Sequence, residues 1–453
     1  MRVLTPRYRA LAEAFPRAKT IARPHWLGGE LPTCAIRSAK TEDGLRLWMV
    51  DYPPYFERSG ANPYLHPDGH DWPDNPLRYA LLSRVAAWLA TPASTLAWRP
   101  HVLHCNDWQS ALSPAYLALL PSPAGGETPC VLSIHNLAFQ GSYHRLWLTR
   151  LGLPLSAWRF DAVECYGMLS FLKAGIQFGR AITTVSPTYA QEILADDEGK
   201  GMGFSGLLRH RSADVRGIIN GIDETTWDPG TDPYLSAPFT TYDARSLAKK
   251  AKNKRALQIE LGLKPTAERP LFGVVSRLTG QKGLDLLATI SDQLLELPAQ
   301  LVVLGSGETT LEAAFKRLAA AHPEHCAVRI GFDEKLAHRI EAGVDCFVMP
   351  SRFEPCGLNQ MYSQRYGTPP IVRKTGGLAD TVVDAANRQE GSGFVFEQTD
   401  SAGLLATVKR AAALYQNPRR WKKLQLNGMR RDFSWRAPAA SYIQIYKELA
   451  ARR

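Results

Sequence analysis

Pro350-Ser351-Arg352-Phe353-Glu354-Pro355-Cys356-Gly357-Leu358, followed by Lys374-Thr375-Gly376-Gly377-Leu378-Ala379-Asp380, decides how this chain is read. The apolar run Cys346-Phe347-Val348-Met349-Pro350 predicts a strand that ends in a loop carrying one carboxylate, Glu354. A second strand-like run, Pro370-Ile371-Val372, ends in a Thr-Gly-Gly turn that opens a helix. One acidic strand-to-helix turn and one rich in bare backbone N–H groups suit a sugar beside a phosphate. The pair points to transfer of a glycosyl group from a nucleotide-sugar.

Outward from that stretch the chain reads as α/β throughout. Leu271-Phe272-Gly273-Val274-Val275, Leu301-Val302-Val303-Leu304-Gly305 and Ala327-Val328-Arg329-Ile330 precede it, each followed by a helical pattern. Five strand–helix units make a complete doubly wound domain, expected over residues 244–430. In the first half, Val102-Leu103-His104-Cys105, Cys130-Val131-Leu132-Ser133-Ile134 and Ala181-Ile182-Thr183-Thr184-Val185 read as buried parallel strands. They define a second Rossmann-like domain over residues 1–235. The Pro-, Asp- and Thr-rich residues 228–243 read as a linker, and residues 431–453 as a C-terminal helix packing back on the first domain. Ligands of open α/β sheets bind at the carboxyl ends of the strands, so two facing domains predict a shared cleft.

Composition narrows the function classes. At 453 residues the chain needs more than one domain, and its 45% hydrophobic and 21% charged content is that of a globular protein. No apolar run is long enough to cross a bilayer, so no membrane role is expected. Seven scattered cysteines without a Cys-x-x-Cys pair read as reduced thiols of a cytoplasmic protein, with no metal site. The net charge of +11 is spread along the chain, which argues against a nucleic-acid partner. Its densest run, Lys249-Lys250-Ala251-Lys252-Asn253-Lys254-Arg255, reads as a solvated helix face.

Glycosyl transfer from a nucleoside diphosphate needs cations for the leaving group and polar groups for the sugar. Ser276-Arg277-Leu278-Thr279-Gly280-Gln281-Lys282-Gly283 follows a strand and opens a helix, which lets Arg277 and Lys282 converge on phosphate oxygens. Leu304-Gly305-Ser306-Gly307-Glu308 has the same grammar, but a lone Gly-x-Gly also serves simply to ease a turn. His135 and Asn136 end a first-half strand and can meet sugar hydroxyls. Asp107 and Trp108 end another; an N-cap and a packing aromatic are equally good readings of them.

These residues carry a resemblance. Val3-Leu4-Thr5-Pro6-Arg7-Tyr8, Asp107-Trp108-Gln109, Ile134-His135-Asn136, Asn220-Gly221-Ile222-Asp223, Ser276-Arg277-Leu278 and the segment from Pro350 to Val382 resemble the bacterial glycogen synthases and plant starch synthases. The resemblance spans nearly the whole chain. It implies the GT-B architecture, two Rossmann-like domains facing a cleft, and retaining transfer of glucose from ADP-glucose to the non-reducing end of an α-1,4-glucan. No cofactor is implied beyond the donor substrate. It further implies that Arg277 and Lys282 hold the diphosphate, that Glu354 lies by the transferred glucose, and that His135 serves its 6-hydroxyl or the transition state. Asp107, Asn136, Asn220 and Cys356 line the sugar pocket, and Cys356 needs no catalytic role. Phe332 stacks on adenine, and Thr375, Gly376 and Gly377 offer donors to the phosphates. Domain closure is expected, because the diphosphate ligands and His135 lie in different halves.

Two departures qualify the resemblance. Eight positions after Glu354 stands Tyr362, where many related transferases carry a second glutamate; the glycogen synthases share this change. The chain also starts at the block the family places second, so a first strand, a Lys-Thr-Gly-Gly-Leu turn and its helix are expected to be missing. A UDP-glucose-using enzyme and a weakened glucan-binding fragment are the alternatives.

Overall fold

The computed structural model describes residues 1–25, 27–60, 62–120, 128–195 and 197–451. The chain divides into two compact units, one of residues 1–184, 193–216 and 442–453, the other of residues 185–192 and 217–441.

The second unit is built on one six-stranded parallel sheet. Its strands lie in the order Cys326–Ile330, Gln300–Gly305, Leu271–Val275, Cys346–Met349, Pro370–Arg373, Phe394–Phe396. Numbered by sequence this is 3-2-1-4-5-6, with all neighbouring strands parallel. The order reverses between Leu271–Val275 and Cys346–Met349, and a crevice opens at such a switch point. Successive side chains of a strand face opposite ways, and here both faces are apolar. Phe272, Val274, Leu301, Val303, Cys346 and Val348 enter one core with Leu287, Phe315, Leu404 and Trp421 from helices. Leu271, Val302, Leu304 and Phe347 enter the other with Leu257, Leu336 and Ile340. Burying each such side chain contributes about 1.5–3 kcal/mol, which is why these strands read as continuous hydrophobic runs. Gly273 lies on the second face because a Cβ there would stand 2.8 Å from Val344 Cγ1.

The first unit holds two four-stranded sheets and a small three-stranded one. Leu103–Asn106, Cys130–Ile134, Ala181–Thr184 and Val215–Gly217 form the sheet that bears the predicted strands. Its first three members run parallel. The other sheet, Val3–Pro6, Arg46–Asp51, Ala35–Lys40, Lys19–Ala22, contains antiparallel neighbours. The expected single doubly wound sheet is therefore replaced by a parallel sheet and a mixed one. The mixed sheet follows from a tight turn, in which Thr41 and Gly44 close the hairpin between Ala35–Lys40 and Arg46–Asp51.

Two expectations about the chain's organisation are corrected. Residues 228–243 are no linker: Asp232, Leu235, Phe239 and Tyr242 are all buried in the second unit. The unit boundary accordingly falls near residue 217. The Lys249–Arg255 run is a solvated face only in part: Lys249, Lys252 and Arg255 are exposed, whereas Lys250 and Lys254 are buried. Lys250 donates from Nζ to the carbonyls of Glu341 and Ala342, both at 2.9 Å, near the end of the helix Glu334–Gly343. Lys254 pairs with Asp345 at 2.7 Å. Long aliphatic stems bury well, and terminal helix carbonyls attract a cation. Of the C-terminal helix Arg436–Ala451, residues from 442 onward belong to the first unit.

Candidate active site

In the second unit the predicted donor residues meet at the switch point. The loop after Leu271–Val275 carries Arg277 and Lys282, and the loop after Cys346–Met349 carries Glu354. They line a cavity of about 360 Å³ together with Ser276, Pro350, Ser351 and Asn359. Lys282 Nζ donates to Glu354 Oε2 at 2.6 Å, and Ser351 Oγ donates to the same oxygen at 3.1 Å. Glu354 is buried, whereas Arg277 is exposed and has no carboxylate within ion-pairing distance among the described residues.

The two loops are locked together. Both guanidinium nitrogens of Arg352 reach Asp285, each at 2.6 Å, and the Arg352 amide donates to the Gln281 carbonyl at 2.9 Å. Gly283 has φ +67, and a Cβ there would lie 2.0 Å from the Pro350 carbonyl oxygen. A bidentate pair has better geometry than an ordinary surface ion pair. Arg352 and Asp285 were not singled out from the sequence, although the arginine stands two positions before Glu354 and the acid two positions after Gly283.

The Gly305-Ser306-Gly307 turn serves packing. A Cβ on Gly305 would be 1.8 Å from the Ser276 carbonyl oxygen, and one on Gly307 would be 2.3 Å from that of Leu278. Glu308 accepts from the Gly280 amide at 2.8 Å and so fixes the start of the lysine loop.

The Thr375-Gly376-Gly377 turn departs from expectation. All three residues are buried, and their donors are already engaged. Thr375 Oγ1 and the Gly376 amide donate to the Glu192 carboxylate, at 2.9 and 3.2 Å. The Gly377 amide donates to the Glu354 and Pro355 carbonyls, at 3.2 and 3.1 Å. The turn therefore presents no open phosphate seat in this structure. It packs flush against the Glu354 main chain instead, which only glycine allows. Glu192, on the helix Pro187–Ala195, was not legible as its partner, because the two lie 183 positions apart.

Cys356 is likewise buried, and burial pushes its thiol up to about 12, so it is no thiolate. Asn220 lies against its sulfur, with main chain and side chain both in hydrogen-bonding reach. Phe332 stands apart from the Arg277–Glu354 cavity, at the end of the strand Cys326–Ile330. Its ring is 89% exposed beside a second cavity of about 360 Å³ lined by Leu304, Arg329, Asp333 and Leu336. Tyr362 does not replace the missing glutamate in kind: its ring stacks on Trp227 at 4.0 Å, and His338 stacks on Trp227's ring at 3.8 Å.

The first unit gathers His135, Asn136 and Asp107. Asp107 accepts the His135 backbone N–H at 2.7 Å, and His135 Nε2 lies 3.0 Å from Asn106 Oδ1. Asp107 is thus no N-cap. It adopts φ +51, a sparsely populated conformation that turns its carboxylate onto the histidine strand end. Burial pushes its carboxyl up, against the pull of His135. Asn136 Oδ1 is turned onto its own loop and accepts from the Ala138 amide at 3.0 Å. Trp108 is core, 4.8 Å from Tyr79 edge-on. Beneath His135 lies a histidine the sequence reading passed over. His104 bonds Ser133 Oγ at 2.7 Å and Tyr446 OH at 2.6 Å; burial, then repulsion from His135, pushes it down to about 4.

No helix among the described residues is long and apolar enough to cross a membrane. Residues 1–210 match the starch synthase catalytic domain family, and residues 262–425 match glycosyl transferases group 1. The chain is 54% identical over its whole length to a glycogen synthase of Dechloromonas aromatica, of which it covers 92%. It is 47% identical over 99% of its length to one of Nitrosomonas eutropha, of which it covers 89%. Among solved structures, the catalytic domain of starch synthase IV from Arabidopsis thaliana, bound to ADP and acarbose, superposes with a TM-score of 0.84. That match has 31% identity and covers 99% of this chain and 92% of that one. Sucrose-phosphate synthase from Thermosynechococcus elongatus shares the fold, with a TM-score of 0.56 at 18% identity, covering 92% of this chain and 86% of its own. With two α/β units, a cationic strand-end loop facing a buried glutamate, and full-length identity to these enzymes, the chain belongs to the glycogen synthase family of glucan-elongating glucosyltransferases.

Proposed function

We propose that the chain transfers glucose from ADP-glucose to the non-reducing end of an α-1,4-glucan with retention of configuration. The observation that carries the reading is the convergence of Arg277, Lys282 and Glu354 on one cavity at the switch point of the second unit's sheet. A diphosphate entering there meets a guanidinium with no carboxylate partner among the described residues and an ammonium, which stabilise the negative charge that grows as the glycosidic bond breaks. Lys282 then exchanges a carboxylate for a phosphate oxygen, and Glu354 is released to bind sugar hydroxyls and support positive charge at the anomeric carbon. Phe332 stacks on the adenine ring, which a phenyl ring does without a hydroxyl. His135, held at its backbone by Asp107, serves the transferred glucose, with Asn136 lining the acceptor-side pocket and Asn220 and Cys356 the sugar pocket of the second unit. Thr375, Gly376 and Gly377 act by supporting the Glu354 loop; they reach a phosphate only if Glu192 withdraws.

The test is incubation with radiolabelled ADP-glucose and glycogen. Label should enter polymer and be released by an enzyme specific for α-1,4 linkages. Absence of incorporation overturns the enzyme reading, and stronger incorporation from UDP-glucose overturns the donor assignment.

A further inference from the structure

The small antiparallel sheet of the first unit hangs directly from the His135 loop. The strand Ser142–Tyr143 pairs with Met168–Ser170, which pairs with Glu164–Cys165. The Gly141 carbonyl accepts from the Phe171 amide at 3.0 Å, and that of Gln140 accepts from the Leu172 amide at 3.1 Å. Cys165 faces Met168, so Tyr166 and Gly167 form a two-residue hairpin loop. Their φ values are +49 and +78, the positive pair of a type I′ turn.

Tyrosine is a poor choice for the first of those positions, where Asn, Asp or Gly relieves the backbone. It is also 83% exposed. Its hydroxyl donates to the Gly203 carbonyl at 3.2 Å, and a Cβ on Gly203 would meet the ring at 3.0 Å. The ring is thus laid over a glycine and fixed at its tip, with most of its surface left open. Met202, beside it, also has a positive φ of +46, and its carbonyl accepts from Gln140 Nε2 at 2.9 Å. Asp107, Tyr166 and Met202 are three of the four described non-glycine residues with positive φ; Asp107 and Met202 bond to the His135–Gln140 segment directly, and Tyr166 bonds to Gly203, the residue after Met202. Strain of this kind persists where the surroundings enforce it, and it concentrates at functional sites. Phe139 on the His135 loop is 53% exposed, and Phe160, on the approach to the hairpin, is 81% exposed.

We propose that Tyr166, with Phe139 and Phe160, forms a docking face on which the acceptor glucan lies as it leaves the His135 loop. A pyranose ring presents an apolar face of C–H groups that packs on an aromatic ring, while its hydroxyls stay in water. Exposed rings on a pinned backbone supply that surface with little entropy to lose. The proposal rests on the glucan-elongating reading above and adds where the polymer is held.

The test compares wild type with Tyr166→Gly, Tyr166→Phe and Phe139→Ser, read by glycogen affinity electrophoresis without donor and by steady-state kinetics. Glycine suits φ +49, so Tyr166→Gly should fold with an unchanged or higher thermal midpoint. Its glycogen dissociation constant and KM for glycogen should rise about three- to tenfold, the worth of one stacked ring, and by more than the KM for ADP-glucose. Tyr166→Phe should bind like wild type, and Phe139→Ser should weaken binding in the same direction. Unaltered glycogen affinity in both Tyr166→Gly and Phe139→Ser overturns the docking face. So does an equal loss in Tyr166→Phe, which would assign the effect to the Gly203 hydrogen bond. Weakened binding without any transfer by wild type would sink the transferase reading and leave the docking face standing.

Discussion

Lys282 Nζ lies 2.6 Å from Glu354 Oε2, so the cation expected to meet the donor's phosphate is paired with the carboxylate expected to meet its sugar. The pair joins a buried charge to a partly exposed one: the Glu354 side chain is 8% exposed and that of Lys282 is 19%. A phosphate can draw the lysine away, because its stem is long and its neighbour Arg352 holds the loop rather than the side chain.

Removing either partner should be felt in catalysis and in stability. Lys282→Met should lower kcat/KM for ADP-glucose by about 10²–10³-fold, the usual loss when a stabiliser of developing charge is removed. It should also cost about 2–3 kcal/mol in denaturant unfolding, because Glu354 is left buried and uncompensated. Glu354→Gln should cut turnover similarly while donor binding persists. Turnover within twofold of wild type in either variant would remove that residue from the site.

Gly376→Ala should be severe although it adds one methyl group. At φ +42 the new Cβ would stand 2.0 Å from the Glu354 carbonyl oxygen. The clash is with backbone, so the Glu354 loop must shift. A loss of about 3 kcal/mol or more in unfolding free energy is expected, with turnover falling in parallel. A variant as stable as wild type would contradict the close approach.

Phe332→Ala should raise the KM for ADP-glucose about five- to twentyfold with kcat nearly kept, as loss of one stacking surface does. Phe332→Tyr should restore it. Equal KM in wild type and Phe332→Ala would place the adenine elsewhere.

His104 makes stability depend on pH. Its folded-state value is pushed down to about 4 from an ordinary 6.5, so between those limits the unfolded chain binds the extra proton. The associated stability is fully present above pH 6.5 and is lost as pH falls toward 4, by up to about 3 kcal/mol. Denaturant titrations at pH 7.5 and 4.5 should show a smaller difference in His104→Gln than in wild type. An identical pH dependence in both would contradict a neutral buried imidazole.

Much of this was legible along the chain because the determinants are local. A parallel strand buried on both faces must be apolar at every position, so Leu271–Val275, Gln300–Gly305 and Cys346–Met349 stood out. Their carboxyl ends are where ligand residues are expected, which singled out Arg277, Lys282 and Glu354; Phe332 came from the family resemblance. The misjudged segments are those whose partners lie far away. Lys250 and Lys254 looked solvated until distant helix-end carbonyls and Asp345 reached them. Residues 228–243 looked like a linker because Pro, Asp and Thr mark turns, whereas their few large side chains fill a core.

By itself the sequence determined the α/β grammar, the family, and which residue types stand at the strand ends, because periodicity and motif spacing are properties of neighbouring residues. Only the tertiary structure decided which of those residues are free to act. It engaged the donors of Thr375 and Gly376 with Glu192, paired Lys282 with Glu354, turned Asp107 onto His135 and left Tyr166 open at a strained hairpin tip. Each of these depends on a hydrogen-bond partner or a close approach across many positions of chain, and such partners are set by packing rather than by local pattern.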